Sequence, residues 1–175
     1  MEADESCPLW SNTESPSRTA VAALAIMRLA LAAWLGAAVL FVVTSVVEQA
    51  FPEFDSTVRD QLATIRFPFY YATGTGCCTV ALVCGVLCRS LGRRLTMALL
   101  LATLASIVFA LDYWFVYRPL QELIIPSGQP RTDRFTQLHN LSRVVNSLHL
   151  LLVLTAAVQT ALPLKCNRVW NNDDQ

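Results

Sequence analysis

The sequence predicts an all-α integral membrane protein, a four-helix bundle with a short interfacial helix between its first two spans. Of the 175 residues, 54% are hydrophobic and only 15% are charged, whereas soluble domains carry about 25% charged residues. The apolar residues form four runs long enough to cross a bilayer core, which takes about 20 residues. Charged and turn-forming residues separate these runs. Together these observations predict four transmembrane helices.

The chain divides into a polar N-terminal tail, a transmembrane domain and a polar C-terminal tail. The tail over residues 1–19 is acidic and has few large apolar side chains, which predicts disorder. This acidic start is not that of a signal peptide, so we expect the first span to be retained. The transmembrane domain covers residues 20–165, and residues 166–175 form the C-terminal tail. The predicted spans are about 21–47, 69–88, 95–117 and 144–164, the last within a helix that begins near residue 133.

The connector between the first two spans predicts the interfacial helix. Pro52 ends the first helix, and Asp55 or Ser56 can cap a new one. Apolar residues then recur at helical spacing up to Ile65, which is typical of an amphipathic helix on the membrane surface. Pro68 suits the first turn of the second span.

Small residues follow one face of each of the first two spans. In span one they surround Gly36, and in span two they recur at spacings of 4, 3, 4 and 3. Such faces allow helices to approach closely, so we consider both as packing surfaces or as seams of a homo-oligomer. The residues are Ala32, Ala33, Gly36 and Ala37 in span one, and Gly74, Cys78, Ala81, Gly85 and Cys88 in span two.

Polar residues of distant segments are predicted to meet at one membrane interface. On the last helix, His139, Ser142, Asn146 and His149 lie at spacings of 3, 4 and 3, which places them on one face. The topology brings this helix to the level where span one and span three end. The candidate ligand or proton site is therefore Glu48, Asp112, His139, Ser142, Arg143 and Asn146. The structural alternative is that Glu48 or Asp112 pairs with Arg66, Arg118 or Arg143 to hold the bundle together.

The sequence predicts neither a cofactor nor a metal site. Both histidines, His139 and His149, lie on one helix and cannot clamp a haem from opposite sides. The cysteines of span two lack a CxxC pair and a companion histidine, so we interpret them as packing residues. A net charge of +0 argues against a nucleic-acid partner. No phosphate-binding loop or hydrolase motif occurs, although Ser142 and His139 lie close enough on the helix to touch.

Three motifs are similar to the transmembrane protein 205-like family of small four-helix membrane proteins, a domain of unknown function in bacteria. They are Arg28 with Leu31-Ala-Ala-Trp34-Leu35-Gly36, Tyr117-Arg118-Pro119, and Phe135-x-x-Leu138-His139-x-x-Ser142-x-x-x-Asn146. The resemblance covers about residues 24–160. It implies a four-helix bundle and brings no reaction, ligand or catalytic residue.

The arginines between spans two and three predict a cytoplasmic connector by the positive-inside rule. With four spans, both termini are then cytoplasmic, and we expect a multi-pass protein of the bacterial inner membrane. The leading interpretation is a non-enzymatic transport-related component or a scaffold. The alternatives are a proton- or ion-coupled carrier that uses Glu48, Asp112 and His139, and a membrane-embedded enzyme. The expected partner is the lipid bilayer, and a homo-oligomer formed through the small-residue helix faces is a candidate; the sequence specifies no protein partner or small ligand.

Overall fold

The computed structural model describes residues 17–163, which form an antiparallel helical bundle without strands in that range. Four of its helices are long and apolar enough to cross a membrane. The helices are α1 (Arg18–Ala50), α2 (Ser56–Cys88), α3 (Arg93–Asp112), α4 (Arg118–Glu122) and α5 (Asp133–Ala161). The all-α four-helix prediction is confirmed. Residues 1–16 and 164–175 lie outside the described residues; they include most of the predicted N-terminal tail, the last two residues of the predicted transmembrane domain and the whole predicted C-terminal tail.

Side-chain caps fix where α1, α2 and α5 begin. Ser17 accepts a hydrogen bond from the Ala20 amide at 3.2 Å. Asp55 accepts one from Val58 at 2.8 Å, and Thr132 accepts one from Phe135 at 3.2 Å. Each cap satisfies an amide that the first helical turn leaves without a partner. Asp55, one of the two caps predicted for α2, is therefore confirmed.

The interfacial helix is not a separate element, which corrects the prediction. Residues 56–67 are the first turns of α2, and the helix continues through Pro68 to Cys88. Pro68 removes one backbone hydrogen bond, yet a proline within a membrane helix is tolerated where neighbouring groups satisfy the freed carbonyl. Because Asp60 is buried and Tyr70 and Tyr71 pack into the core, both sides of the proline are held against the bundle.

The bundle consists of two closely packed helix pairs joined by looser seams. Helix α1 packs most extensively against α2, and α3 packs most extensively against α5. The seams between α2 and α3 and between α1 and α5 are less extensive. A tight turn at Gly92, whose φ of 150° is rare for other residues, connects α2 to α3. This arrangement leaves a groove along the α2–α3 seam.

Small residues of α2 make room for large side chains of the other helices. A Cβ at Gly74 would lie 2.5 Å from the Phe109 ring and 2.6 Å from Trp34. A Cβ at Gly85 would lie 2.9 Å from Leu99. The whole predicted small-residue face of span two is buried inside this chain. It therefore packs the bundle and offers no free seam to a second copy.

Helical structure continues past residue 117, the predicted end of the third span, although α3 itself ends at Asp112. It widens into a π-helical turn over Tyr113–Tyr117, and α4 follows directly. Pro119 lies in the first turn of α4, where its missing amide is tolerated. A loop then returns to α5, and buried Asp60 anchors it. Asp60 accepts hydrogen bonds from the Gly128 amide at 2.9 Å and from Arg131 at 2.5 Å.

Candidate functional site

Asp112, at the end of α3, is the centre of a buried polar cluster. Its side chain is only 2% exposed. The Tyr71 hydroxyl of α2 donates a hydrogen bond to Asp112 Oδ2 at 2.5 Å, and Asn146 Nδ2 of α5 donates to the same oxygen at 3.1 Å. Three helices therefore converge on one carboxyl group.

Asn146 connects this carboxyl group to a second layer of partners. Its Oδ1 accepts a hydrogen bond from the Tyr70 hydroxyl at 3.0 Å. Its Nδ2 also lies 3.0 Å from the Ser142 carbonyl and 3.1 Å from Ser142 Oγ. The amide group is thus held in one orientation by groups on two helices. We call Tyr70, Tyr71, Asp112, Ser142 and Asn146 the Asp112 cluster.

The second oxygen of Asp112 has no hydrogen-bond partner. Oδ1 is buried and unpartnered among the described residues, and no Arg or Lys of residues 17–163 forms an ion pair with Asp112. A buried carboxylate without a countercharge is costly, and the cost falls when a proton or a cation neutralises it. The cluster can therefore hold a proton on Asp112 among neutral hydrogen-bond donors.

Two other acidic side chains, Glu48 and Asp60, form ion pairs with arginines. Glu48, at the end of α1, pairs with Arg66 of α2, and the same arginine lies 4.8 Å from the centre of the Phe41 ring. Asp60 pairs with Arg131. The structural alternative foreseen from the sequence, an ion pair at the bundle mouth, therefore describes Glu48 and does not describe Asp112.

His149 lies in the core with both ring nitrogens engaged. Trp34 Nε1 donates a hydrogen bond to His149 Nε2 at 2.8 Å. His149 Nδ1 lies 3.0 Å from the Ala105 carbonyl, which suits a neutral ring that carries its proton on Nδ1. The ring also stacks on Phe109 at a centroid distance of 4.8 Å. We call His149, Trp34 and the Ala105 carbonyl the His149 site, and its complete hydrogen bonding indicates a structural role.

The structure brings together only part of the candidate site predicted from the sequence. Asp112, Ser142 and Asn146 meet in the cluster, whereas Glu48 is bound to Arg66. Arg143 and His139 are exposed on the outer turns of α5. There the His139 ring stacks on Phe135 at 5.8 Å.

Sequence reasoning missed the roles of Tyr70, Tyr71 and Asp60. The hydroxyl groups of the two tyrosines donate hydrogen bonds to Asn146 and Asp112. A signal was present: Tyr70 precedes Gly74 by four residues and Tyr71 precedes Cys78 by seven, which extends the buried face of α2. For Asp60 no local signal exists, because its partners lie 68 and 71 residues away.

The described residues contain no group of three or more His, Cys, Asp or Glu side chains that could hold a metal ion. Cys77, Cys78, Cys84 and Cys88 are free thiols, and the last three are buried. Cys88 Sγ lies 4.0 Å from Met27 Sδ in the core. Cys78 and Cys88 therefore contribute to packing on the small-residue face of α2.

Comparison with known proteins gives one match. The model of a family described as "Domain of unknown function (DUF4149)" matches residues 29–124. This range begins in α1 and ends after α4, so it includes Trp34, Tyr71 and Asp112 and stops before α5. No curated protein and no solved structure shows a significant match.

Proposed function

The chain belongs to the family of this domain of unknown function (DUF4149), and from that premise we propose that it is a non-enzymatic, transport-related membrane protein. The observation that carries the proposal is the buried Asp112 carboxyl group, which is bound by neutral donors and has one oxygen without a partner among residues 17–163. Ionisable groups within membrane helices are expensive and mark ion and proton pathways. In the sharper form of the proposal, Asp112 takes up and releases protons.

The surroundings of Asp112 support proton exchange better than cation binding. Asn146 presents its Nδ2 donor to the carboxyl group, while its Oδ1 is occupied by Tyr70. Tyr71 also presents a donor. Hard cations such as Ca²⁺ and Mg²⁺ require oxygen ligands with free lone pairs, and this cluster offers mainly hydrogen-bond donors. A proton on Oδ1 neutralises the group without changing those contacts.

The arrangement of the histidines supports a non-enzymatic protein. A nucleophilic hydroxyl group needs a base within hydrogen-bond reach. Both nitrogens of His149 are already occupied, and the exposed His139 ring lies against Phe135. Ser142 Oγ is engaged with Asn146.

The decisive experiment measures proton movement in proteoliposomes. We expect a potassium diffusion potential to drive proton uptake, reported by a trapped pH-sensitive dye, into vesicles that contain the purified protein. Asp112→Asn should abolish this uptake and leave the amount of inserted protein unchanged. Asp133→Asn is the matched control, because Asp133 is exposed in the first turn of α5. Uptake equal to that of empty vesicles, or full uptake by Asp112→Asn, would refute proton exchange.

A scaffold that assembles through α1 is the second candidate. Ala32, Ala33 and Gly36 are exposed on α1, and a Cβ at Gly36 would meet no atom within 4 Å. Small exposed residues allow a second helix to approach closely. Cross-linking in native membranes should give a homo-oligomer that Gly36→Leu disrupts, whereas Gly76→Leu on open α2 surface leaves it intact. Monomers alone would contradict this candidate.

We also propose a finer family placement and a membrane orientation. The motifs at Trp34, Tyr117 and Asn146 support a transmembrane protein 205-like member. The arginines of the α2–α3 turn support cytoplasmic termini in a bacterial inner membrane. Reporter fusions at both termini test the orientation. Activity at either terminus of a reporter that works only outside the cytoplasm would contradict cytoplasmic termini.

A further inference from the structure

The groove along the α2–α3 seam combines apolar walls with a polar end. Its volume is about 640 Å³, within the range of about 300–1,000 Å³ that is typical of ligand sites. Its walls extend from Pro68 to Leu82 on α2 and from Ser106 to Gln121 on the facing segment. The axial rise from Pro68 to Leu82 is about 21 Å, and half of a hydrocarbon core is about 15 Å. The groove is thus long enough to hold one extended acyl chain.

The polar end of the groove carries an unused hydroxyl group and a positive charge. Tyr117 lines the groove and is 6% exposed, and its hydroxyl group is buried without a hydrogen-bond partner among the described residues. Arg118 is exposed one residue further, with its guanidinium 4.8 Å from the centre of the Trp114 ring, which also lines the groove. Arg118 forms no ion pair within residues 17–163.

From this geometry we propose that the groove binds an anionic phospholipid. One acyl chain lies between α2 and α3, the phosphate pairs with Arg118, and the Tyr117 hydroxyl donates a hydrogen bond to an ester carbonyl of the same lipid. The apolar walls match the chain, and the guanidinium fork matches the phosphate oxygens. Trp114 and Tyr117 are aromatic residues of the kind found at headgroup level. This site goes beyond the proton exchange proposed for Asp112 and does not depend on it.

The test compares lipid binding to the full-length protein by native mass spectrometry in detergent. The probes are phosphatidylglycerol and phosphatidylcholine with identical acyl chains. We expect phosphatidylglycerol to bind more tightly. Arg118→Gln should weaken its binding about fivefold, the effect of one arginine at a membrane surface, and leave phosphatidylcholine unchanged. Arg143→Gln, on the exposed face of α5 outside the groove, is the matched control and should have no effect.

Substitutions that fill the groove distinguish lipid binding at a defined site from general electrostatic attraction to the protein surface. Ala110 and Ala72 line the groove and are exposed, so leucine fits at either position without entering the core. Ala110→Leu and Ala72→Leu should weaken both lipids, whereas Ala25→Leu, exposed on α1, should weaken neither. Equal losses from Arg118→Gln and Arg143→Gln would show a non-specific surface effect and overturn the proposal. Unchanged binding in both leucine variants would overturn it as well.

Discussion

The His149 site and the Asp112 cluster are two buried polar groups on the same helical interface, and they are completed to different degrees. His149 has a donor for its acceptor nitrogen and an acceptor for its other nitrogen. Asp112 has two donors on one oxygen, and no described residue donates to the other. A fully satisfied buried network holds its members rigidly, whereas a buried polar atom without a partner is costly. The comparison separates a structural histidine from a candidate functional carboxyl group.

The largest expected effect comes from removing the partner of His149. Trp34→Ala should lower the free energy of unfolding by about 3–5 kcal/mol, because it deletes a buried indole and leaves His149 Nε2 without a donor. Reversible unfolding in mixed micelles measures the change. Trp114→Ala, which alters a side chain that is 57% exposed, should change stability far less. Equal losses in the two variants would remove the structural role assigned to the His149 site.

The next effect tests the space that Gly74 provides for Trp34. Gly74→Ala should lower stability by about 1–3 kcal/mol, since the new Cβ would overlap the rings of Phe109 and Trp34. Gly76→Ala is the control two residues away. Its Cβ meets nothing within 4 Å, so its better helix propensity should raise stability by about 0.5–1 kcal/mol. The same unfolding measurement serves both glycine variants. Unchanged stability of Gly74→Ala would contradict the close packing of Phe109 and Trp34 against Gly74.

A smaller effect is expected within the Asp112 cluster. Tyr71→Phe removes one of two donors to Asp112 Oδ2 and should lower stability by about 0.5–1.5 kcal/mol. Tyr113→Phe is the matched control, because its ring packs against Tyr71 at 5.1 Å without a bond to the carboxyl group. If Tyr71→Phe lowers the free energy of unfolding as much as Trp34→Ala does, the Asp112 cluster stabilises the fold to the same degree as the His149 site.

The smallest effect is expected at His139. His139→Ala should change stability by no more than about 0.5 kcal/mol, because the side chain is exposed and only stacks on Phe135. Proton uptake by this variant should match that of the unaltered protein. A loss of proton uptake by His139→Ala, with unchanged protein abundance, would show that His139 takes part in proton exchange although it lies apart from the Asp112 cluster.

Local periodicity predicted the helices but not every face that they bury. The small-residue spacing of α2 correctly identified its packing face, and Asp55 was correctly recognised as a candidate cap. The polar rhythm of α5 was less informative. Ser142, Asn146 and His149 turn inward, whereas His139 lies on the first turns of α5, where no residue is buried. Spacing along a helix predicts the direction in which a side chain points. Whether that side chain is buried depends on whether a neighbouring helix extends to the same level.

The sequence by itself determined four membrane-spanning helices and their order, because apolar length and caps are local properties that each segment carries alone. Only the tertiary structure decided which polar groups are satisfied. Trp34 reaches His149 across 115 positions and Tyr71 reaches Asp112 across 41. The continuity of α2 through Pro68 was also decided there, because burial on both sides of the proline offsets its missing hydrogen bond. Hydrogen bonds between distant residues depend on how the helices pack, and no single segment encodes that packing.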